Sequence, residues 1–90
     1  MFLHLGGEAV VPLSEVVAIC DHELPAQARA SDEFLKTARD RGQLVDVSGG
    51  EPKSFVITKG KVYLSQISSL TLKKRAENLR EAIEALEQQR

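Results

Sequence analysis

Aromatic side chains are scarce in this sequence. They make up 4% of its 90 residues, and tryptophan is absent. Proteins that hold single-stranded nucleic acid usually stack the bases on several exposed aromatic rings, so the composition disfavours that mode of binding. The hydrophobic fraction (42%) and the charged fraction (28%) are ordinary for one globular domain.

The chain has a single cysteine, Cys20, so no disulfide can form within it. Cys20 ends the apolar run Val16–Cys20, which predicts a buried strand whose thiol acts as a small hydrophobic group. No positively charged segment with a long apolar stretch opens the sequence, and its apolar runs are shorter than a membrane span. We therefore expect a cytoplasmic protein without a signal peptide or membrane contact.

Residue sets typical of catalysis or metal binding are also lacking. Asp21, His22 and Glu23 are adjacent, but they do not have the spacing of a metal site. Gly6-Gly7 and Gly49-Gly50 mark turns and do not have the spacing of a phosphate-binding loop. We expect no enzyme activity, no cofactor, no metal and no small-molecule substrate.

Acidic residues are absent between positions 53 and 75, which hold six bases. Residues 1–52 carry four bases and nine acids, and residues 76–90 carry two bases and four acids. A positive segment in a chain of net charge −1 is typical of an edge that binds a polyanion, although a solvated helix start would have the same composition. The six bases are Lys53, Lys59, Lys61, Lys73, Lys74 and Arg75.

Residue patterns predict an α+β fold with a small antiparallel sheet, a short helix and a long C-terminal helix. Ser31 is the predicted N-cap of the short helix, and Ser68 or Ser69 is that of the long helix. Asp21–Pro25 is predicted to be a loop. The predicted strands are 2–5, 9–11, 16–20, 44–47, 54–58 and 62–65, and the predicted helices are about 32–41 and 69–88.

The predicted hairpin positions the bases. Lys59-Gly60 is a two-residue turn signal, so 62–65 runs antiparallel to 54–58 and Ser65 lies beside Ser54. The last helix then begins at the end of the sheet opposite Lys59 and Lys61. The bases expected to share a DNA-binding surface there are Lys53, Lys73, Lys74 and Arg75. The alternative is that Lys73 pairs with Glu77, one helical turn away.

The last helix has an apolar heptad seam, and its length of about 30 Å exceeds the ~17 Å of a five-residue strand. Its second half is therefore expected to extend beyond the sheet and to pack against another subunit; fraying or folding back is the alternative. We therefore predict a domain over residues 1–76 and a helical extension over residues 77–90. The seam residues, predicted to serve oligomerisation, are Leu72, Ala76, Leu79, Ile83 and Leu86.

Five segments in this order resemble the RemA/RemB-like extracellular matrix regulators of bacteria, and the RemB branch most. They are His-Leu-Gly at 4–6, Leu-Val-Asp at 44–46, PKSFVIT at 52–58, VYLS at 62–65 and ISSLTLKKR at 67–75. The resemblance covers about residues 1–76. It implies a small α+β protein that assembles into closed rings. In the RemA branch, basic residues around the ring bind promoter DNA and activate biofilm matrix genes, in a manner likened to LytTR-type domains.

The sequence departs from the RemA pattern at its basic positions. RemA-type chains carry a pair of arginines where this chain has Glu51 and Pro52, and another arginine where it has Glu15. Two functions are therefore predicted. The first is a DNA-associated transcriptional regulator of the extracellular matrix or biofilm regulator type, a homo-oligomer that contacts the phosphate backbone of double-stranded DNA. The alternative is an oligomeric protein-interaction module that binds no nucleic acid.

Overall fold

The computed structural model describes residues 1–22 and 28–88, with residues 28 and 29 described by their backbone alone. Within these residues the fold is α+β, as predicted. The elements are β1 (Phe2–Gly6), β2 (Ala9–Pro12), a 3₁₀ turn (Leu13–Glu15), β3 (Val16–Asp21), α1 (Ala28–Asp40), β4 (Leu44–Asp46), β5 (Ser54–Thr58), β6 (Val62–Ser65) and α2 (Ser69–Gln88).

The strands form two sheets rather than the single antiparallel sheet expected from the sequence. β1 and β2 make a two-stranded ribbon, and the larger sheet has the order β3-β5-β6-β4. β3, β5 and β6 are antiparallel neighbours, whereas β4 runs parallel to β6. β3 and β4 therefore point the same way at opposite edges. Parallel strands need a crossover connection, and α1 lies between them in the chain.

The larger sheet is covered on both faces. Phe55 and Val56 are neighbours in β5, so their side chains point to opposite faces. Phe55 packs with Leu35 and Ala38 of α1. Val56 packs with Leu72 of α2 and with the inner side chains of the β1–β2 ribbon. The result is three layers, with α1 on one face and the ribbon and α2 on the other.

The helix α1 begins earlier than predicted. It starts at Ala28, so Ser31 lies inside its first turns and is not the N-cap. The residues Ala28–Ser31 are compatible with helix, with alanine the best helix former, and they extend it toward the N-terminus. Asp21, predicted to be in a loop, ends β3, and residues 23–25 of that predicted loop lie outside the described residues.

β3 is an edge strand, and the prediction of a buried strand was wrong. In the described residues it pairs with β5 on one side. None of its side chains is fully buried, and Val17 is 65% exposed. An apolar run predicts burial, but only sheet order decides whether a strand is central or at the edge.

The helix α2 is anchored by its first half. Ser69 and Leu72 are buried, and Ala76 and Leu79 contact the core. Further along, Leu86 is 60% exposed. The molecule measures 46 Å along its longest axis and 25 and 22 Å along the other two, in agreement with the predicted overhang. Neither described helix has a stretch apolar enough to cross a membrane.

Candidate nucleic-acid interface

Three elements meet at one end of the larger sheet, where β3 ends and both β5 and α2 begin. We call it the loop end. The amide of His22 donates to the carbonyl of Lys53 (3.1 Å), and the amide of Lys53 donates to the carbonyl of Ser65 (2.8 Å). The backbone of Lys53 is thus held by hydrogen bonds to neighbouring segments, although Lys53 precedes β5. Lys59 and Lys61 lie at the other end, in the β5–β6 turn, as predicted.

Two buried serines fix the start of α2. Ser54 and Ser65 are partners across β5 and β6, as predicted from the sequence. Ser54 Oγ donates to the carbonyl of Ile67 (2.7 Å), and Ser65 Oγ accepts from the amide of Ile67 (3.0 Å). One residue later, Ser68 Oγ accepts from the amide of Thr71 (3.2 Å), which confirms the predicted N-cap. The second turn of α2 and its bases are therefore attached firmly to the loop end.

The bases of α2 point in different directions around the helix. Lys73 lines a groove between α2 and β3, whereas Arg75 lines a groove between α2 and β1. Lys74 lies about 200° around the helix from the buried Leu72, so it points away from the core. All three bases are exposed. They surround the start of α2 and do not share one face.

Lys73 lies close to the end of β3. Burial raises the pKa of the Cys20 thiol, and the positive charge of Lys73 partly opposes that shift. Cys20 is paired with Phe55, two residues after Lys53, so Lys53 and Lys73 are at the same end of the sheet. Side chains alternate along a strand, and Phe55 faces α1. We therefore expect the Lys53 side chain on the α1 face, opposite α2.

The alternative pairing of Lys73 with Glu77 does not occur. Glu77 instead accepts a hydrogen bond from Arg80, and the two form a salt bridge. Among the residues that the structure describes, no carboxylate forms a salt bridge with Lys53, Lys73 or Lys74. These charges are therefore available to a partner.

Two bases of α1 join this region, and the sequence analysis did not assign them to it. Lys36 and Arg39 line a cleft of about 510 Å³ together with His22, Gly50 and Pro52. Their i,i+3 spacing indicates a shared helix face, but only the crossover of α1 brings that face to the loop. Asp32 and Asp46 line the same cleft, so it is not a purely positive site.

The loop after β4 has a defined shape. The Asp46 carboxylate accepts hydrogen bonds from the amide (2.8 Å) and the hydroxyl (2.5 Å) of Ser48, and these bonds lower the pKa of Asp46. Gly49 and Gly50 follow with φ of 71° and 92°, a region that favours glycine. Glu51, at one of the arginine positions of the RemA pattern, is exposed on this loop. Its charge opposes the approach of phosphate.

The predicted oligomerisation residues differ in what they can offer a partner. Leu72 has 0% exposure and belongs to the core of its own chain, and Ala76 and Leu79 pack on that core. Ile83 and Leu86 are outside both core clusters. Of the predicted seam residues, the two distal ones therefore provide the apolar surface that the core of this chain does not use.

Within the described ranges, no group of three or more histidine, cysteine or acidic side chains is placed to hold a metal ion. The basic residues at the loop end can form charge-assisted contacts with phosphate oxygens.

The comparison with known proteins agrees with the resemblance seen in the sequence. A family model described as extracellular matrix regulatory protein A-like, RemA-like, matches residues 2–76. The chain is also similar to extracellular matrix regulatory protein B of Bacillus subtilis (strain 168), with 39% identity over 77 residues, which cover 86% of this chain and 91% of that protein. The chain therefore belongs to the RemA-like family of extracellular matrix regulatory proteins.

Proposed function

We propose that this protein is a cytoplasmic, DNA-associated transcriptional regulator that acts as a homo-oligomer and contacts the phosphate backbone of double-stranded DNA. The observation that carries the proposal is the set of exposed bases at the loop end, in a segment without a single acid. Membership of a regulatory family supports it. The residues proposed to meet phosphate are Lys53, Lys73, Lys74 and Arg75.

One copy of the chain offers few contacts. Each neutralised phosphate contributes one counterion to the salt dependence of binding, and three or four contacts per copy give weak binding at physiological salt. Several copies joined in a ring bring their loop ends to one duplex, and the linked contacts add by avidity. Self-association is therefore part of the proposed mechanism.

Electrophoretic mobility shifts with a duplex of random sequence, at a low and a higher salt concentration, test the DNA contact. Binding is expected at low salt and is expected to fall steeply as salt rises, with little difference between duplex sequences. The variant Lys73→Glu/Lys74→Glu is expected to abolish the shift. The matched control is Lys59→Glu/Lys61→Glu, which makes the same charge change at the opposite end and is expected to retain it.

A second candidate is an oligomeric protein-interaction module that binds no nucleic acid. It is favoured by Glu51 and Pro52 at the positions of the arginine pair, and by the spread of Lys73 and Arg75 onto opposite sides of α2. No shift at low salt, from a protein that is still oligomeric in solution, would reject the DNA contact and leave this candidate. Equal loss of binding in both charge-reversal variants would mean that overall charge acts instead of the loop end.

A further inference from the structure

The distal part of α2 lies outside the region that the family model matches. That match ends at Ala76, whereas α2 continues to Gln88. We call residues 81–88 the overhang. Its apolar residues Ile83 and Leu86 continue the line of Leu72 and Leu79, but they have no place in the core of this chain. Leu86 is 60% exposed and Ile83 is half-buried, so this acidic helix end carries apolar surface that the chain itself does not cover.

A groove lies next to the base of the overhang. It has a volume of about 360 Å³ and runs between α2 and the edge strand β3. We call it the α2–β3 groove. Leu13, Val16 and Val17 give it apolar walls, and Val17 is 65% exposed. Lys73 and Arg80 stand on its α2 side.

The overhang cannot fill the groove of its own chain. α2 is continuous to Gln88, and at 1.5 Å per residue Leu86 lies about 9 Å beyond Arg80, the last residue of α2 at the groove. A helix that fills this groove would therefore come from another molecule. A second copy of the chain has such a helix end, the overhang, whose apolar side chains suit the apolar walls of the groove.

The charges of α2 select the direction in which a second copy would lie. The start of the helix carries Lys73, Lys74 and Arg75 without an acid, and the part after Ala76 carries four glutamates with Arg80. Arg80 is engaged by Glu77, and its pKa is raised by the hydrogen bond to Glu77 and by the nearby charges of Glu84 and Glu81. Two parallel helices would place like charges side by side. Two antiparallel helices place the acidic end of each near the basic start of the other, with opposed helix dipoles.

We propose that the overhang of one copy lies antiparallel in the α2–β3 groove of a second copy, and that a two-fold axis makes the contact reciprocal. Ile83 and Leu86 then pack on Leu13, Val16 and Val17 of the partner copy. Glu84 and Glu87 approach Lys73 in the groove, and Lys73 has no salt-bridge partner in the described part of the chain. In this assembly the phosphate contacts fall to Lys53, Lys74 and Arg75, which do not line the groove. The inference rests on the self-association in the proposed function, and it assigns to the extension a contact that residues 2–76 cannot form among themselves.

Site-directed cross-linking tests the geometry in the full-length chain. Cys20→Ala removes the native thiol, and Val17→Cys and Leu86→Cys are made separately in that background. A mild oxidant is expected to give a covalent dimer when the two proteins are mixed and little when each is alone. Dominant dimers of the Leu86→Cys protein by itself would overturn the proposal, because they would show overhangs pairing with each other. Absence of a covalent dimer in the mixture would overturn it as well.

Leu70→Cys is the control for the cross-link. Leu70 is 79% exposed and lies about 160° around the helix from Leu86, on the outer side of α2. When it is mixed with the Val17→Cys protein, it is expected to give no covalent dimer. A yield equal to that of Leu86→Cys would mean that random collision forms the bond, and would overturn the proposal.

Solution mass supplies the second measurement, by light scattering coupled to size-exclusion chromatography. Leu86→Asp is expected to reduce the mass of the assembly by half, or to a monomer if no other contact exists, and Leu70→Asp is expected to leave it unchanged. If Leu86→Asp keeps the full mass and the mobility shift with DNA, the groove contact is wrong and the proposed function stands. If the unmodified chain is a monomer at micromolar concentration, the proposed function and this inference both fail.

Discussion

The hydroxyl of Ser65 joins three parts of the fold. Ser65 is fully buried, and its Oγ donates to the carbonyl of Leu5 in β1 (2.6 Å) while accepting from the amide of Ile67 (3.0 Å). The ribbon, the larger sheet and the start of α2 are thus connected through one side chain. Buried polar groups are stabilising only when they are paired, so this position is sensitive to small changes.

Ser65→Ala is expected to destabilise the fold by about 1–3 kcal/mol, because it leaves the Leu5 carbonyl and the Ile67 amide without their partner. Urea unfolding followed by circular dichroism measures the difference. Ser14→Ala, at an exposed position, is the control and is expected to change the free energy of unfolding by less than about 0.5 kcal/mol. Equal effects of the two substitutions would contradict the role of Ser65.

The carboxylate of Asp46 stabilises the fold in a pH-dependent way. Its pKa is lowered by the two hydrogen bonds from Ser48, so the folded state favours the charged form. This contribution is complete above the ordinary pKa of an aspartate and is lost as the pH falls through the lowered pKa. Asp46→Asn is therefore expected to reduce the free energy of unfolding at about pH 6 and to have a smaller effect at about pH 2.5.

Unfolding of the Asp46→Asn variant in urea at the two pH values measures this dependence. Asp40→Asn, at an exposed position of α1, serves as the matched control. An Asp46→Asn effect that is the same at both pH values would show that the Ser48 hydrogen bonds do not depend on the charge of Asp46.

At the scale of elements, α2 has two parts with different roles. Leu72 is fully buried between the ribbon and β5, whereas Leu70, two residues earlier on the same turn, is 79% exposed. The helix is therefore held by its first turns, and its distal part adds little to the core of its own chain. In the proposed assembly, the same helix would belong to the fold at one end and to an intersubunit contact at the other.

Leu72→Ala is expected to lower the free energy of unfolding by about 2–5 kcal/mol, because it removes a buried side chain and leaves a cavity. Leu70→Ala, the same substitution on the exposed side of the same helix, is expected to remain within about 0.5 kcal/mol of the unmodified chain. Thermal or urea unfolding compares them. Similar losses at both positions would mean that helix propensity, and not core packing, dominates the stability of α2.

At the scale of the whole molecule, the net charge of −1 conceals the uneven distribution of charge along the chain. A nearly neutral protein is not attracted to DNA as a whole, so binding depends on how its copies are oriented. A ring of copies, as in the proposed function, brings several loop ends to one duplex, whereas the antiparallel α2 contact places the two loop ends at opposite ends of the helix pair. The affinity of the protein for DNA is consequently expected to depend on protein concentration as well as on salt.

The salt dependence of DNA binding reports how many phosphates the protein contacts. The logarithm of the binding constant falls linearly with the logarithm of salt concentration, with a slope of about −0.9 per contacted phosphate. Lys74→Ala is expected to make the slope shallower by about 1 for each Lys74 that contacts the duplex, and Lys61→Ala is expected to leave it unchanged. Fluorescence anisotropy of a labelled duplex over a series of salt concentrations gives both slopes. A reduced affinity with an unchanged slope in the Lys74→Ala variant would contradict a phosphate contact.

The sequence by itself determined the local features of this protein. The β5–β6 hairpin, its register, a serine cap at Ser68 or Ser69 and a long last helix ending near Gln88 follow from short-range turn, capping and periodicity rules, and the structure agrees with each. The family was also recognisable, because short motifs keep their order and spacing along the chain.

Other features depended on contacts between distant residues. The start of α1 at Ala28, the edge position of β3 and the parallel partner of β4 reflect sheet order and packing, which no local pattern encodes. For the same reason, only the tertiary structure brought Lys36 and Arg39 to the loop end and placed Lys73 beside β3 and Arg75 beside β1. The physical cause is that charge composition gives only the number of bases in a segment. The surroundings of each side chain are set by the element that carries it and by the face on which that element packs.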